Sequence, residues 1–277
     1  MKSKKLLAIF VLITVLLSGC APKSKRSAQA LPTGYEGVSV ELLKNMPPEN
    51  VWKGSSFSIG LKLENNGLHD IENGIIRISG FTKYLIEPSY VERSFTLKGR
   101  DPYLPSGDLL IEEFQFRNIR FEGFEKEDFT ETFYVEVVFD YSTKATANVC
   151  INPKVAEPIQ SGCPMLPVAF RQGQGAPVAV TRITPSVILE GDKRIAQLLI
   201  EFEDKGKGSV NYVEVDGVYL GKEKMECNKD SLDFSDKTDS LKCTLPIETT
   251  ESFTTPVRVE ISYLYSIDLS GKITFVS

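Results

Sequence analysis

From Val38 onward, apolar and polar residues alternate with a period of two. Phe57, Ile59, Leu61 and Leu63 are interleaved with Ser58, Gly60 and Lys62, which in a strand puts one set on a core face and the other in solvent. Asn65-Asn66-Gly67 follows, residues that tolerate positive φ and end a strand in a turn. Ile75–Ile78, Tyr90–Leu97, Leu109–Phe116, Phe133–Tyr141 and Thr146–Ile151 read as further strands, each bounded by Gly, Pro, Asn or Asp. No segment here carries a helical period over ten residues, so the expectation is an antiparallel sandwich. Residues 152–180 interrupt the pattern with Pro153, Pro158, Pro164, Pro167 and Pro177 and with Gly162, Gly173 and Gly175, which cannot sustain a continuous ladder. Within that break, Met165–Phe170 is apolar enough to pack on a neighbour.

The second half repeats the first. Leu63-Glu64-Asn65-Asn66-Gly67 matches Phe202-Glu203-Asp204-Lys205-Gly206, each at the end of an alternating strand. Val135–Ser142 matches Val259–Ser266, and each match is expected to lead into a turn and a closing strand. The first copy is longer by about 15 residues, placed between Phe81 and Pro105 by the loop signals Arg100-Asp101-Pro102 and Pro105-Ser106-Gly107.

At the shared signature of apolar residue, Glu, Asn or Asp, any residue, Gly, both halves resemble the immunoglobulin-like modules of the CARDB type found in prokaryotic cell-surface proteins. The resemblance implies an all-β chain of two tandem immunoglobulin-like antiparallel β-sandwiches, at 34–152 and 176–277, joined by a linker at 153–175. It implies nothing about a ligand. The Cys, Trp, Cys spacing of antibody domains is absent, and Trp52, the one tryptophan, precedes the first alternating strand as a core plug or edge cover.

The chain opens differently. Lys2, Lys4 and Lys5 are followed by the apolar run Leu6–Leu17 and then Ser18-Gly19-Cys20, the charged, hydrophobic, small-residue order of a secretory signal. The run is shorter than the roughly 20 residues a membrane span needs. Leu17-Ser18-Gly19-Cys20 resembles a bacterial-type lipobox, which implies a signal peptide at 1–19, cleavage before Cys20 and lipid attachment on its sulfur. Two or three acyl chains there would make a lasting anchor, with 20–33 as a polar tether. The location implied is the cell membrane or outer membrane, facing the periplasm or cell exterior. Cleavage would remove 19 residues and three lysines, leaving 258 of the 277 residues and taking the formal charge from −5 to −8. That balance, with no basic stripe, argues against a nucleic-acid partner.

Four cysteines remain, an even number in an exported chain, which favours disulfides. Of three connectivities the sequence-local one is favoured: Cys150 with Cys163 and Cys227 with Cys243. A zinc site is the rival, but it usually uses close pairs such as C-x-x-C, which the chain lacks.

Catalytic equipment is sparse. His69 is the only histidine, and its setting, Gly67-Leu68-His69-Asp70, reads as a solvated surface turn. The clusters Glu112-Glu113 and Glu125–Asp128 read as solvated strand ends. Asp230, Asp233, Asp236 and Asp239 recur in the loop Asn228–Ser240 without the spacing or mid-loop glycine of an EF-hand. Whether that loop holds calcium stays open. Phe114 and Phe116 alternate as core residues do, whereas Phe121 and Phe124 flank Gly123 as a candidate exposed patch. The expectation is therefore a non-catalytic envelope lipoprotein without cofactor or metal, anchored at Cys20. It would act as a binding or scaffolding module for a protein or glycan, through sandwich loops or an open sheet edge. An envelope polysaccharide hydrolase, or an accessory lipoprotein of a secretion or pilus machine, are the alternatives. The long segment Phe81–Pro105 is the first place to look for a binding surface.

Overall fold

The computed structural model describes residues 34–118, 128–154 and 162–276, all within one compact unit. The lipobox with Cys20, the tether, Phe121, Phe124 and Glu125 lie outside the described residues. The first half comprises β1 (Val38–Leu42), β2 (Asn50–Trp52), β3 (Ser56–Asn65), β4 (Ile71–Ser79), β5 (Ile86–Glu87), β6 (Val91–Leu97), β7 (Leu109–Asn118) and β8 (Phe129–Ile151). The second comprises β9 (Val168–Ala169), β10 (Val178–Glu190), β11 (Lys193–Asp204), β12 (Tyr212–Leu220), β13 (Glu223–Lys224), β14 (Glu226–Cys227), β15 (Ser231–Asp233), β16 (Thr238–Ile247) and β17 (Phe253–Val276). The fold is an all-β sandwich whose described strands pair antiparallel but for the short β2–β17 pair, with one isolated parallel bridge between Gly34 and Gly173.

The period-two pattern is realised in the burial. Ile59, Leu61 and Leu63 on β3 are fully buried, as are Ala196, Leu198 and Ile200 on β11. Each large side chain among them contributes about 2 kcal/mol by leaving water. The two halves share a strand order. β1-β3-β7 in the first corresponds to β10-β11-β16 in the second, and β8-β4 corresponds to β17-β12. The register agrees as well: Val38 pairs with Asn65, and Val178 with Asp204.

One expectation fails instructively. Phe133–Tyr141 and Thr146–Ile151 are not two strands separated by a turn; they lie on the single strand β8, all 23 residues of which pair with β17. Ser142-Thr143-Lys144 looks like a turn by composition, yet Thr143 is buried and its hydroxyl donates to Val178 O at 2.6 Å. A polar residue stays in a buried strand when its hydrogen bond is made. Ser266–Gly271 likewise continues through β17 instead of turning.

The β8–β17 ladder joins the halves in one eight-stranded sheet of order β13-β12-β17-β8-β4-β6, with β15 beside β12 and β2 beside β17. Each half covers it with its own smaller sheet, β1-β3-β7-β5 or β14-β16-β11-β10-β9. The ladder has a pseudo-two-fold axis. If Tyr265 is the counterpart of Tyr141, the pair Tyr141↔Tyr263 maps onto Phe139↔Tyr265, and both pairs are present. Asp140↔Leu264 maps onto itself and marks the axis. Phe139, Tyr141, Tyr263 and Tyr265 are buried together on the core face, with successive ring centroids 5.9 to 6.2 Å apart. Trp52 does not plug the core: β2 covers the edge at the end of β17 with Val51 buried and Trp52 65% exposed.

Candidate functional site

The repeated Asn/Asp-x-Gly signature is a packing device. Gly67 N donates to Asn65 Oδ1 at 3.1 Å, and Gly206 N to Asp204 Oδ1 at 3.0 Å. Neither glycine lies in the left-handed region that the turn reading anticipated. Glycine is needed because a Cβ would fall 1.6 Å from the Tyr141 hydroxyl at position 67 and 2.1 Å from the Tyr265 hydroxyl at position 206. The Tyr141 hydroxyl donates to Gly175 O at 3.1 Å. That of Tyr265 donates to Asp204 Oδ1 at 3.2 Å and accepts from Gly208 N at 2.9 Å. Burial pushes both phenols, and that of Tyr263, above their ordinary value. It also raises the Asp204 carboxyl, against the pull of its hydrogen-bond donors.

Beside the second of these corners opens a cleft of about 550 Å³. Gly34–Glu41, including most of β1, form one wall, and Tyr265, Ile267 and Leu269 of β17 form another. Asn66, Arg100, Pro177 and Lys205–Lys207 complete it. Lys205 Nζ lies 2.8 Å from Glu203 and 5.1 Å from the centre of the Tyr35 ring. Arg100 Nη2 donates to Asn66 Oδ1 at 3.0 Å, while its buried Nε has no partner among the described residues. Two smaller clefts lie along Phe81–Pro105, of about 410 and 350 Å³. The larger cleft is not visible in the sequence because its residues come from six separate stretches. The one signal available was that Ile267 stands in the repeat where the first copy has Thr143.

His69 is not a solvated turn residue. It is half-buried, its ring packs edge-on to Tyr141 at 5.3 Å, and Nδ1 lies 2.9 Å from Ser142 Oγ. Burial lowers its pKa despite Asp70, Glu72 and Asp140 nearby. Among the described residues no carboxylate hydrogen-bonds the ring, so this Ser–His contact lacks the orienting acid of a catalytic triad. Glu112 and Glu113 lie mid-strand on β7 and not at its end, and Glu112 pairs with Arg93.

Both expected disulfides are present. Cys150–Cys163 fastens the end of β8 to the connecting segment, and Cys227–Cys243 bridges directly paired positions of β14 and β16. In the acidic loop the Asp239 carboxylate receives Lys229 Nζ at 2.5 and 2.6 Å, with Asp233 N and Ser240 N. Among the described residues no three His, Cys, Asp or Glu side chains converge as metal ligands.

The fold thus defines an all-β sandwich protein. No family model matches the chain, and no curated protein does. Among solved structures it is similar to the secreted serine protease VesC from Vibrio cholerae, at 12% identity and a TM-score of 0.20, covering 82% of this chain and 49% of that one. It is also similar to the C-terminal globular domain of an oligosaccharyltransferase from Pyrococcus abyssi, at 11% identity and a TM-score of 0.24, covering 86% and 48%. The chain therefore spans about half the length of these two proteins. Likenesses this distant carry no argument about function.

Proposed function

We propose that the chain is a membrane-anchored envelope lipoprotein, built of two immunoglobulin-like modules, that acts as a non-catalytic binding or scaffolding protein. The observation that carries the location is the pair of disulfides, Cys150–Cys163 and Cys227–Cys243. Such bonds persist in oxidising compartments outside the cytoplasm, in keeping with the signal and Cys20 at the start of the chain. The cleft along β1 supports a binding role, since it combines an edge strand with aromatic and basic side chains. Cell fractionation tests the anchor: Cys20→Ser should move the protein from the membrane to the soluble fraction or leave it unprocessed. Normal processing with unchanged membrane retention would overturn it.

A further inference from the structure

The two halves treat the same strand edge differently. Asn66 N donates to Gly37 O, and Lys205 N to Pro177 O. Alternation along an antiparallel ladder then sends the N–H and C=O of Val38 and Val40 away from β3, and those of Val178 and Val180 away from β11. In the second half every one of these outward groups is taken. Val178 O accepts from Thr143 Oγ1 at 2.6 Å, and Val178 N donates to the Tyr263 hydroxyl at 3.3 Å. Val180 N and O bond the Gln174 carboxamide at 3.0 and 3.1 Å. Further along, β9 pairs with Arg182 and Ile183.

In the first half the pseudo-two-fold puts Ile267 where Thr143 stands and Phe139 where Tyr263 stands, and neither side chain can hydrogen-bond. Val38 and Val40 line the cleft and are at most 9% exposed. Their outward backbone groups have no partner among the described residues. Buried backbone polar groups are almost always paired, so this edge is shaped for a ligand that brings its own donors and acceptors.

We propose that the cleft binds an extended peptide segment of a partner protein, which adds to β1 as a further strand. The inference rests on the binding-module reading and supplies its ligand class. The second half shows what such an occupant offers: an extended backbone, as in Val168–Ala169, and an amide, as in Gln174. Main-chain hydrogen bonds would give the affinity, with side chains entering the cleft beside Tyr35 and Ile267.

The probe is a synthetic peptide copying Met165–Gln174, the stretch that covers the equivalent edge. Amide hydrogen exchange is read in the full chain. Without peptide, Val38 and Val40 should exchange fast while Val178 and Val180 are protected; about millimolar peptide should slow Val38 and Val40 at least ~10-fold. Val40→Pro removes an outward N–H, and an edge strand tolerates that, so it should abolish the protection at Val38. Val40→Ala should keep it. Ile267→Thr, which supplies the hydroxyl found at Thr143, should weaken peptide binding. Protection of Val178 and Val180 in each variant verifies the fold. The proposal is overturned if Val38 and Val40 are already protected without peptide, if peptide gives no protection, or if Val40→Pro leaves it intact. Peptide failure with Cys20-dependent membrane retention intact would remove this site alone. Loss of that dependence with peptide binding intact would remove the anchor alone.

Discussion

Gly67 and Tyr141 are fitted so closely that the Cβ glycine lacks would sit 1.6 Å from the tyrosine hydroxyl. Gly67→Ala should therefore destabilise the fold by about 1–3 kcal/mol, the usual penalty of overpacking. Adding Tyr141→Phe removes the clashing oxygen and should return part of the loss. Denaturant unfolding of the four proteins in this cycle measures the coupling, and strict additivity would refute the contact as the cause. Gly206→Ala with Tyr265→Phe should behave alike.

Alkaline stability should depend on the buried phenols. Tyr141, Tyr263 and Tyr265 have folded-state values raised above 10.0, chiefly by burial. Between the unfolded and folded values the folded chain holds more protons, so their contribution is whole below about pH 10 and is lost as pH rises through the folded values. The unfolding midpoint should fall above pH 10, and Tyr263→Phe should flatten that fall.

His69 has the opposite sign. Its folded value lies below 6.5 because of burial, so the unfolded chain takes up the proton first and stability declines as pH drops from 6.5 through the folded value. Chemical denaturation between pH 7 and 5 should show this slope, and His69→Gln should lessen it.

Asp204 occupies the place of Asn65, and burial raises its pKa. The stability tied to its protonated form is present below 3.8 and lost as pH rises through the folded value. Asp204→Asn keeps the Oδ1 acceptor for Gly206 N and the Tyr265 hydroxyl, so at neutral pH it should be neutral or stabilising. Thermal unfolding at pH 7 checks this; a substantial loss of stability would count against it.

Each disulfide closes a short loop, with sequence separations of 13 and 16, and should contribute about 3 kcal/mol by restricting the unfolded chain. Reductant should lower the melting temperature while the far-ultraviolet spectrum at 25 °C keeps its β character.

Much of the fold was legible because burial on one face imposes a period of two: Phe57 to Leu63 and Ala196 to Phe202 announce β3 and β11. Local cysteine spacing announced both disulfides. The length of β8 was not legible. Ser142–Lys144 is polar by composition, and only partners remote in sequence, the carbonyl of Val178 thirty-five residues away and the hydroxyl of Tyr263, make Thr143 acceptable in a buried strand. His69 hid for a similar reason, since the partners that half-bury it, Tyr141 and Ser142, are remote in sequence. The repeat was visible, but its asymmetry at Thr143 and Ile267 acquires meaning only once β1 and β10 are seen to hold equivalent edges.

The axis through Asp140 and Leu264 gives the chain the form of a two-fold dimer made in one piece. A dimer of identical halves would offer two equal edges, and a binder of that kind can crosslink its partners into chains. Here Gln174, Thr143 and Tyr263 close one of the two equivalent edges, and among the described residues the other, at β1, is left open. On the proposed reading that edge is monovalent and would hold one partner strand at a time.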